Sequence, residues 1–153
     1  KRQPIHNAAR KLSVVAIQRE IDAGVSPDLI EEDSFEQTRP MAEVIVWGSA
    51  VDPARSIHKR IACIDALLEA GASLGVVSPD AIRGGGKTAL HLAVSQTDRS
   101  RHPADFELIV DQLMRAGADV NAIDGRGTSV LAVAAREGRS TTVAKLLSAG
   151  CLL

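Results

Sequence analysis

The run Gly84-Gly85-Gly86-Lys87-Thr88 has the residue types of a phosphate cradle: glycine-exposed backbone N–H groups, a lysine for charge and a hydroxyl beside it. The spacing does not support that chemistry. A phosphate loop needs a further glycine five residues before Gly86, where Ala81 stands, and a strand leading into the loop, where Ser78-Pro79 interrupts Leu74-Gly75-Val76-Val77. His6, His58, His91 and His102 could bind a metal, yet none has a second ligand at metal-site spacing, so no metal is expected. Cys63 and Cys151 could be nucleophiles. Cys63 precedes an apolar helix position at Ile64, and Cys151 follows Gly150 where Ala72 and Ala118 follow the matching glycines, so both read as small packing residues. No Gly-x-Ser-x-Gly elbow, paired-carboxylate constellation or dinucleotide fingerprint occurs. The expectation is a chain without catalysis and without a cofactor.

The elements that carry these residues recur. Helix-closing segments end at Gly24, Gly71, Gly117 and Gly150, preceded by Glu20-Ile21, Leu67-Leu68, Leu113-Met114 and Leu146-Leu147 and, seven residues before each glycine, by Ile17, Ile64, Val110 and Val143. Such positions fall on one face at 3.6 residues per turn. Helix-opening segments precede them: Gln3-Pro4-Ile5-His6, Arg39-Pro40-Met41-Ala42, Thr88-Ala89-Leu90-His91 and Ser129-Val130-Leu131-Ala132. A pattern that returns along the whole chain specifies an array of helix pairs.

The opening Gly86-Lys87-Thr88-Ala89-Leu90-His91-Leu92-Ala93 and the closing Ala116-Gly117-Ala118-Asp119-Val120-Asn121-Ala122 resemble the signatures of an ankyrin-repeat protein. The first two units match mainly in spacing, since Gln3 and Arg39 replace the opening Thr and Ala42 the His. The resemblance implies an all-α solenoid of helix-turn-helix units with hairpin-like fingers. Four repeats are expected, at about 1–33, 34–80, 83–123 and 124–153, forming one domain that is an excerpt of a longer chain. It further implies that Thr88 caps a first helix and that His6 and His91 bond the backbone of neighbouring loops.

Composition fits such an array. Apolar residues make up 45% of the 153 residues, yet Phe35, Phe106 and Trp47 are the only aromatics, so small and aliphatic side chains must fill the core. A net charge of −1 and the lack of aromatic stacking platforms argue against nucleic acid as a partner. No apolar run reaches membrane-spanning length, and two cysteines outside any spaced framework fit a reducing, intracellular compartment, of its own cell or of a host cell. The last closing segment carries Val143, Leu146 and Leu147 with no unit after them, so a further repeat or a capping helix is expected to follow.

Regularity fails in the two inner units. Leu12 to Ile17 and Gly138 to Val143 are five residues apart, whereas Gly48 to Ile64 is sixteen and Thr97 to Val110 thirteen. The prolines at Pro53 and Pro103 predict second helices that begin early, the former running to Glu69. Side by side, the insertions Ser49–Arg60 and Thr97–Ala104 bring Arg55, His58, Lys59, Arg60, Arg99, Arg101 and His102 to one basic edge. The first finger, Asp28 to Gln37, is acidic, and the one from Leu74 to Gly86 is long and rich in glycine.

The family binds other proteins through finger tips and the ends of first helices. Carried over by position, the implied partner-binding residues are Arg10 and Lys11, Val46 and Trp47, Ser95 and Gln96, and Arg136 and Glu137 at helix ends. Phe35, Glu36, Lys87 and Arg126 are the corresponding finger residues. A monomer binding a partner protein is expected, with Trp47 at the centre of a concave face. A phosphorylated small ligand at the Gly84–Lys87 finger, or a spacer role within a larger enzyme, are the alternatives.

Overall fold

The computed structural model describes residues 4–30, 39–47, 53–78, 85–95 and 103–152. Among them the chain forms eight helices: α1 (Pro4–Arg10), α2 (Val14–Asp22), α3 (Pro40–Trp47), α4 (Pro53–Glu69), α5 (Ala89–Ser95), α6 (Pro103–Arg115), α7 (Val130–Arg136) and α8 (Ser140–Ser148). Two short antiparallel strands, β1 (Val76–Ser78) and β2 (Lys87–Thr88), pair with Val76 opposite Thr88 and Ser78 opposite Lys87.

The chemistry of the helix starts explains the boundaries. Proline opens α1, α3, α4 and α6, where its fixed φ suits the first turn and its missing N–H has no intrahelical role. Hydroxyls cap α2, α7 and α5: Ser13 Oγ accepts from Ala16 N, Ser129 Oγ from Ala132 N, and Thr88 Oγ1 from His91 N. The second helices end in one recurring turn. Gly24, Gly71, Gly117 and Gly150 have φ between +86° and +91°, a region that costs a side chain dearly and glycine little. The following N–H then bonds back over the glycine, from Val25 to Glu20, Ala72 to Leu67, Ala118 to Leu113 and Cys151 to Leu146.

Each first helix packs on its second, α1 on α2, α3 on α4, α5 on α6 and α7 on α8, and successive pairs stack. The first helices form one layer, α1 against α3, α3 against α5, and α5 against α7, while α2, α4 and α6 form the other. This is the expected all-α stack of helix pairs, and the long second helices start where Pro53 and Pro103 predicted. The core runs between the layers: Ala9, Met41, Leu90 and Val130 from the first helices join Ile17, Ile64, Val110 and Leu146 from the second.

The fingers are tied to one another. Four residues after Gly24, the Asp28 carboxylate accepts Ser73 N at 3.0 Å; four after Gly117, Asn121 Oδ1 accepts Leu152 N at 2.7 Å. The matching residue of the second pair is Gly75, which has no side chain to make this bond, and a groove of about 420 Å³ lies there between Leu74, Gly75, Gly117, Asp119 and Ile123.

The last helix pair is less covered. Ile17, Ile64 and Val110 are fully buried, whereas Val143 at the matching position is half-buried and Leu147 is 42% exposed. Leu146, expected on the open face with them, is instead fully buried, because the Gly−4 position points toward α7 and the core.

Of the basic edge, His58 and Lys59 are exposed. Arg60 turns inward: Nη1 donates to the Ile45 carbonyl at 2.9 Å, and its guanidinium stands 5.6 Å from the Phe106 ring centre. The side chain of Arg55, and Arg99, Arg101 and His102, lie outside the described residues, as does most of the first finger.

Candidate functional site

Four of the residues singled out in the sequence converge between the third and fourth helix pairs. Lys87 sits on β2, Ser95 ends α5, Arg126 crowns the Asp124–Thr128 finger and Arg136 ends α7; together with His91, Asp124, Thr128 and Val133 they line a cleft of about 60 Å³.

The floor is a neutral hydrogen-bond network. His91 Nε2 lies 3.0 Å from the Thr128 carbonyl, which can only accept, so this nitrogen carries the proton. Nδ1 is then the acceptor, 2.8 Å from the Thr88 hydroxyl and 3.4 Å from the Thr88 N–H, and the hydroxyl oxygen in turn takes the His91 N–H. Burial lowers the imidazole pKa from its ordinary value, more than the Thr128 carbonyl and the Asp124 charge raise it, with Lys87 adding to the lowering. A neutral ring is also what Thr88 requires, since a proton on Nδ1 would face the Thr88 N–H. The role is therefore structural: His91 binds its own helix start to the next finger.

Asp124 shapes that finger. Its Oδ1 accepts both Arg126 N and Thr128 N at 2.9 Å, and its own N–H donates to the Thr128 carbonyl, closing a tight turn around Gly125 and Gly127. Burial pushes this carboxyl up, but the Thr128 and Arg126 N–H groups, the nearby His91 and the Thr128 hydroxyl outweigh it and hold the pKa below its ordinary value. Asp124 is thus a fixed anion already engaged by its own turn, while the side chain of Arg126 stands exposed above it.

The glycines of the run 84–88 also have a mechanical explanation. Gly125 N donates to the Gly85 carbonyl at 2.6 Å, so neighbouring fingers touch backbone to backbone. Gly86 has φ +78°, and a Cβ on it would come within 2.7 Å of Gly125 N; one on Gly125 would land on the Gly85 carbonyl oxygen. Gly85, Gly86 and Gly125 allow close approach of two fingers, and the hydroxyl of Thr88 is engaged by His91.

The other expected site residues lie elsewhere. Arg10 ends α1 and forks onto Glu43 of α3, Nε to Oε2 at 2.5 Å and Nη2 to Oε1 at 2.8 Å; the Glu43 side chain is fully buried and that of Arg10 only 20% exposed. Lys11 is exposed beside it. Val46 is half-buried against the core. Glu137 pairs with Arg136, whose Nε and Nη2 both lie 3.2 Å from Glu137 Oε1. Ser95 donates its hydroxyl to the Leu92 carbonyl at 3.1 Å. Trp47 ends α3, but its side chain, like Phe35, Glu36, Gln96 and Gly84, lies outside the described residues.

Sequence reasoning overlooked Asp124 and Glu43. Asp124 had a local signal, an Asp ahead of Gly125 and Gly127, which marks a side-chain-closed turn. Glu43 had one too: it occupies the place of Leu92 in the third unit, an acid where the pattern requires burial.

Other reactive groups are inert by environment. Burial pushes the Cys63 thiol up to about 11. Burial and, next, the Asp119 charge raise that of Cys151, whose Sγ lies 3.3 Å from the Val120 carbonyl. Both cysteines are unpaired and buried. Among the described residues no three His, Cys, Asp or Glu side chains gather to hold a metal, and no helix is long and apolar enough to cross a membrane.

The cap of Thr88, the His91 bond to the following finger and the Gly117 turn all fall within one stretch of chain, and the ankyrin repeat family model matches residues 85–125. This stretch is an ankyrin repeat. His6 repeats the bond of His91, with Nε2 2.9 Å from the Leu29 carbonyl, so the same tie recurs in the first helix pair. Ankyrin repeats as a family mediate protein–protein interactions and are typically non-catalytic.

Proposed function

We propose that the chain is a non-catalytic protein-interaction module of four ankyrin repeats, at about 1–33, 34–80, 83–123 and 124–153, working in a reducing intracellular compartment. It would bind one partner protein along the concave side formed by fingers and first-helix ends. The observation that supports this reading is the convergence of Lys87, Ser95, Arg126 and Arg136 on one cleft, beside a finger closed by Asp124 and framed by cations. Lys11, Val46, Trp47, Phe35, Glu36, Gln96 and Glu137 extend the same surface in this reading.

Size and bonding speak against a phosphorylated small ligand at the Gly84–Lys87 finger. A cleft of about 60 Å³ falls far below the roughly 300–1,000 Å³ of small-molecule sites. Thr88, the hydroxyl such a ligand would use, is bound to His91, and Gly86 sits against Gly125.

The test is affinity capture of binding proteins by the wild-type chain beside a Trp47→Ala, Arg136→Ala double variant whose helicity is checked by circular dichroism. A protein retained by the wild type and lost by the folded variant is the expected result. Equal capture by both would move the binding surface away from the concave side.

A further inference from the structure

The cleft between the third and fourth repeats has a chemical preference of its own. Lys87, Arg126 and Arg136 bring three cations to its rim, while Asp124, the anion on its floor, already has its bonds from Arg126 N and Thr128 N. The opening is side-chain sized, too small for a folded ligand. Arg136 shows what it binds: its side chain is 65% exposed, and it holds the Glu137 carboxylate through two contacts to the one oxygen Oε1, both at 3.2 Å. That is a long, one-oxygen arrangement. A guanidinium does better with a carboxylate that meets its fork oxygen for nitrogen, as Arg10 does with Glu43 in the same molecule, at 2.5 and 2.8 Å.

Resting on the interaction-module reading above, we propose that this cleft is a carboxylate pocket for an acidic segment of the partner: an Asp or Glu side chain enters among Lys87, Arg126 and Arg136 and displaces Glu137 from the Arg136 fork. The charge complementarity is local. The whole chain has a net charge of −1, so the surface as a whole does not attract an acidic peptide, and its binding depends on a local group of cations such as this cleft. Glu137 acts as an internal competitor, and its removal must strengthen binding.

The experiment is an NMR titration of the protein with hexaglutamate, following backbone amides and arginine Nε–H signals, with hexaglutamine and inorganic phosphate at matched ionic strength as the other probes. Saturable shifts confined to Arg126, Arg136 and Lys87 are expected with hexaglutamate. Arg126→Gln/Arg136→Gln should weaken binding roughly tenfold or more, and Glu137→Gln should tighten it about two- to fivefold, the span of an exposed ion pair. Both variants should keep the wild-type amide pattern around His91 and Thr128. Three results would overturn the proposal: no saturable shift with hexaglutamate, phosphate binding at the cleft as tightly as the peptide, or unchanged or weakened binding by Glu137→Gln. If hexaglutamate fails while a partner is still captured through the Trp47 surface, the carboxylate pocket falls and the interaction module stands. If the peptide binds but capture is unaffected by the Trp47/Arg136 variant, it is the wider concave surface that fails.

Discussion

Arg10 and Arg136 occupy the same place in the first and fourth helix pairs, at the end of a first helix, and the structure surrounds them differently. At the first junction Arg10 is drawn down onto Glu43, a carboxylate without solvent exposure, and His6 bonds Leu29 while its Nδ1 stays 3.9 Å from Glu43 Oε1. At the last junction the buried link is neutral, running Thr88, His91, Thr128, and the cations remain around an open cleft. The difference is set by the neighbour. At the first junction the following helix pair offers the buried acid Glu43, and the helix-end arginine becomes a structural tie; at the last junction Val133 takes the place of Glu43 and Ser95 that of Arg10, while Arg136, on the same helix as Val133, keeps a side chain 65% exposed.

The largest expected effect breaks the first junction. Glu43→Ala leaves Arg10 half-buried opposite an apolar hole and should cost about 2–4 kcal/mol of unfolding free energy by denaturant titration. Replacing both partners, Arg10→Met with Glu43→Met, should recover most of that loss, because both charges of this ion pair are removed together. A double variant as unstable as the single one would show that this pair is more than a local tie.

Next in size is the finger contact of the last junction. Gly125→Ala places a methyl on the Gly85 carbonyl and should destabilise by about 1–3 kcal/mol, read as a lower Tm; the same substitution at Gly24, where nothing lies within 4 Å but φ is +86°, should cost about 1 kcal/mol from backbone strain alone. Thr88→Val removes the cap of α5 and the hydroxyl partner of His91, for an expected loss of about 1–2 kcal/mol.

The smallest effect is on pH. His91 has a folded pKa below its ordinary 6.5, so the unfolded chain takes up the proton first, and the contribution of His91, complete above that value, declines as pH falls through the window beneath it. The Asp124 carboxyl, also depressed from its ordinary 3.8, contributes above that value and loses its contribution as pH falls further. A lower protection factor for the Thr128 amide, its exchange measured against the intrinsic rate at each pH, as the solution is acidified below pH 6.5 is the expected observation.

Much of this scaffold is legible in the sequence because its causes are local. Proline at Pro53 and Pro103 fixes where two long helices start, glycine at Gly117 fixes where one stops, and Thr88 with His91 announces a capped helix tied to a finger. The site is less legible because its causes are not local. Nothing within the first helix pair announces the role of Arg10, which is set by Glu43, thirty-odd residues on. The glycines of the run 84–88 read as loop chemistry until Gly125 of the next finger is seen against them. Leu12 adopts φ +50° where the fourth helix pair has Gly138 at +70°, a strain offset by burying the leucine, and sequence gives no warning of it.

The central claim is that equivalent arginines are structural at one end of the array and recognitional at the other. The most direct test measures Tm and hexaglutamate affinity together for Arg10→Gln and Arg136→Gln. The account predicts a crossed result: Arg10→Gln lowers Tm and leaves affinity unchanged, while Arg136→Gln leaves Tm unchanged and weakens affinity. Two variants that alter both quantities alike would contradict it.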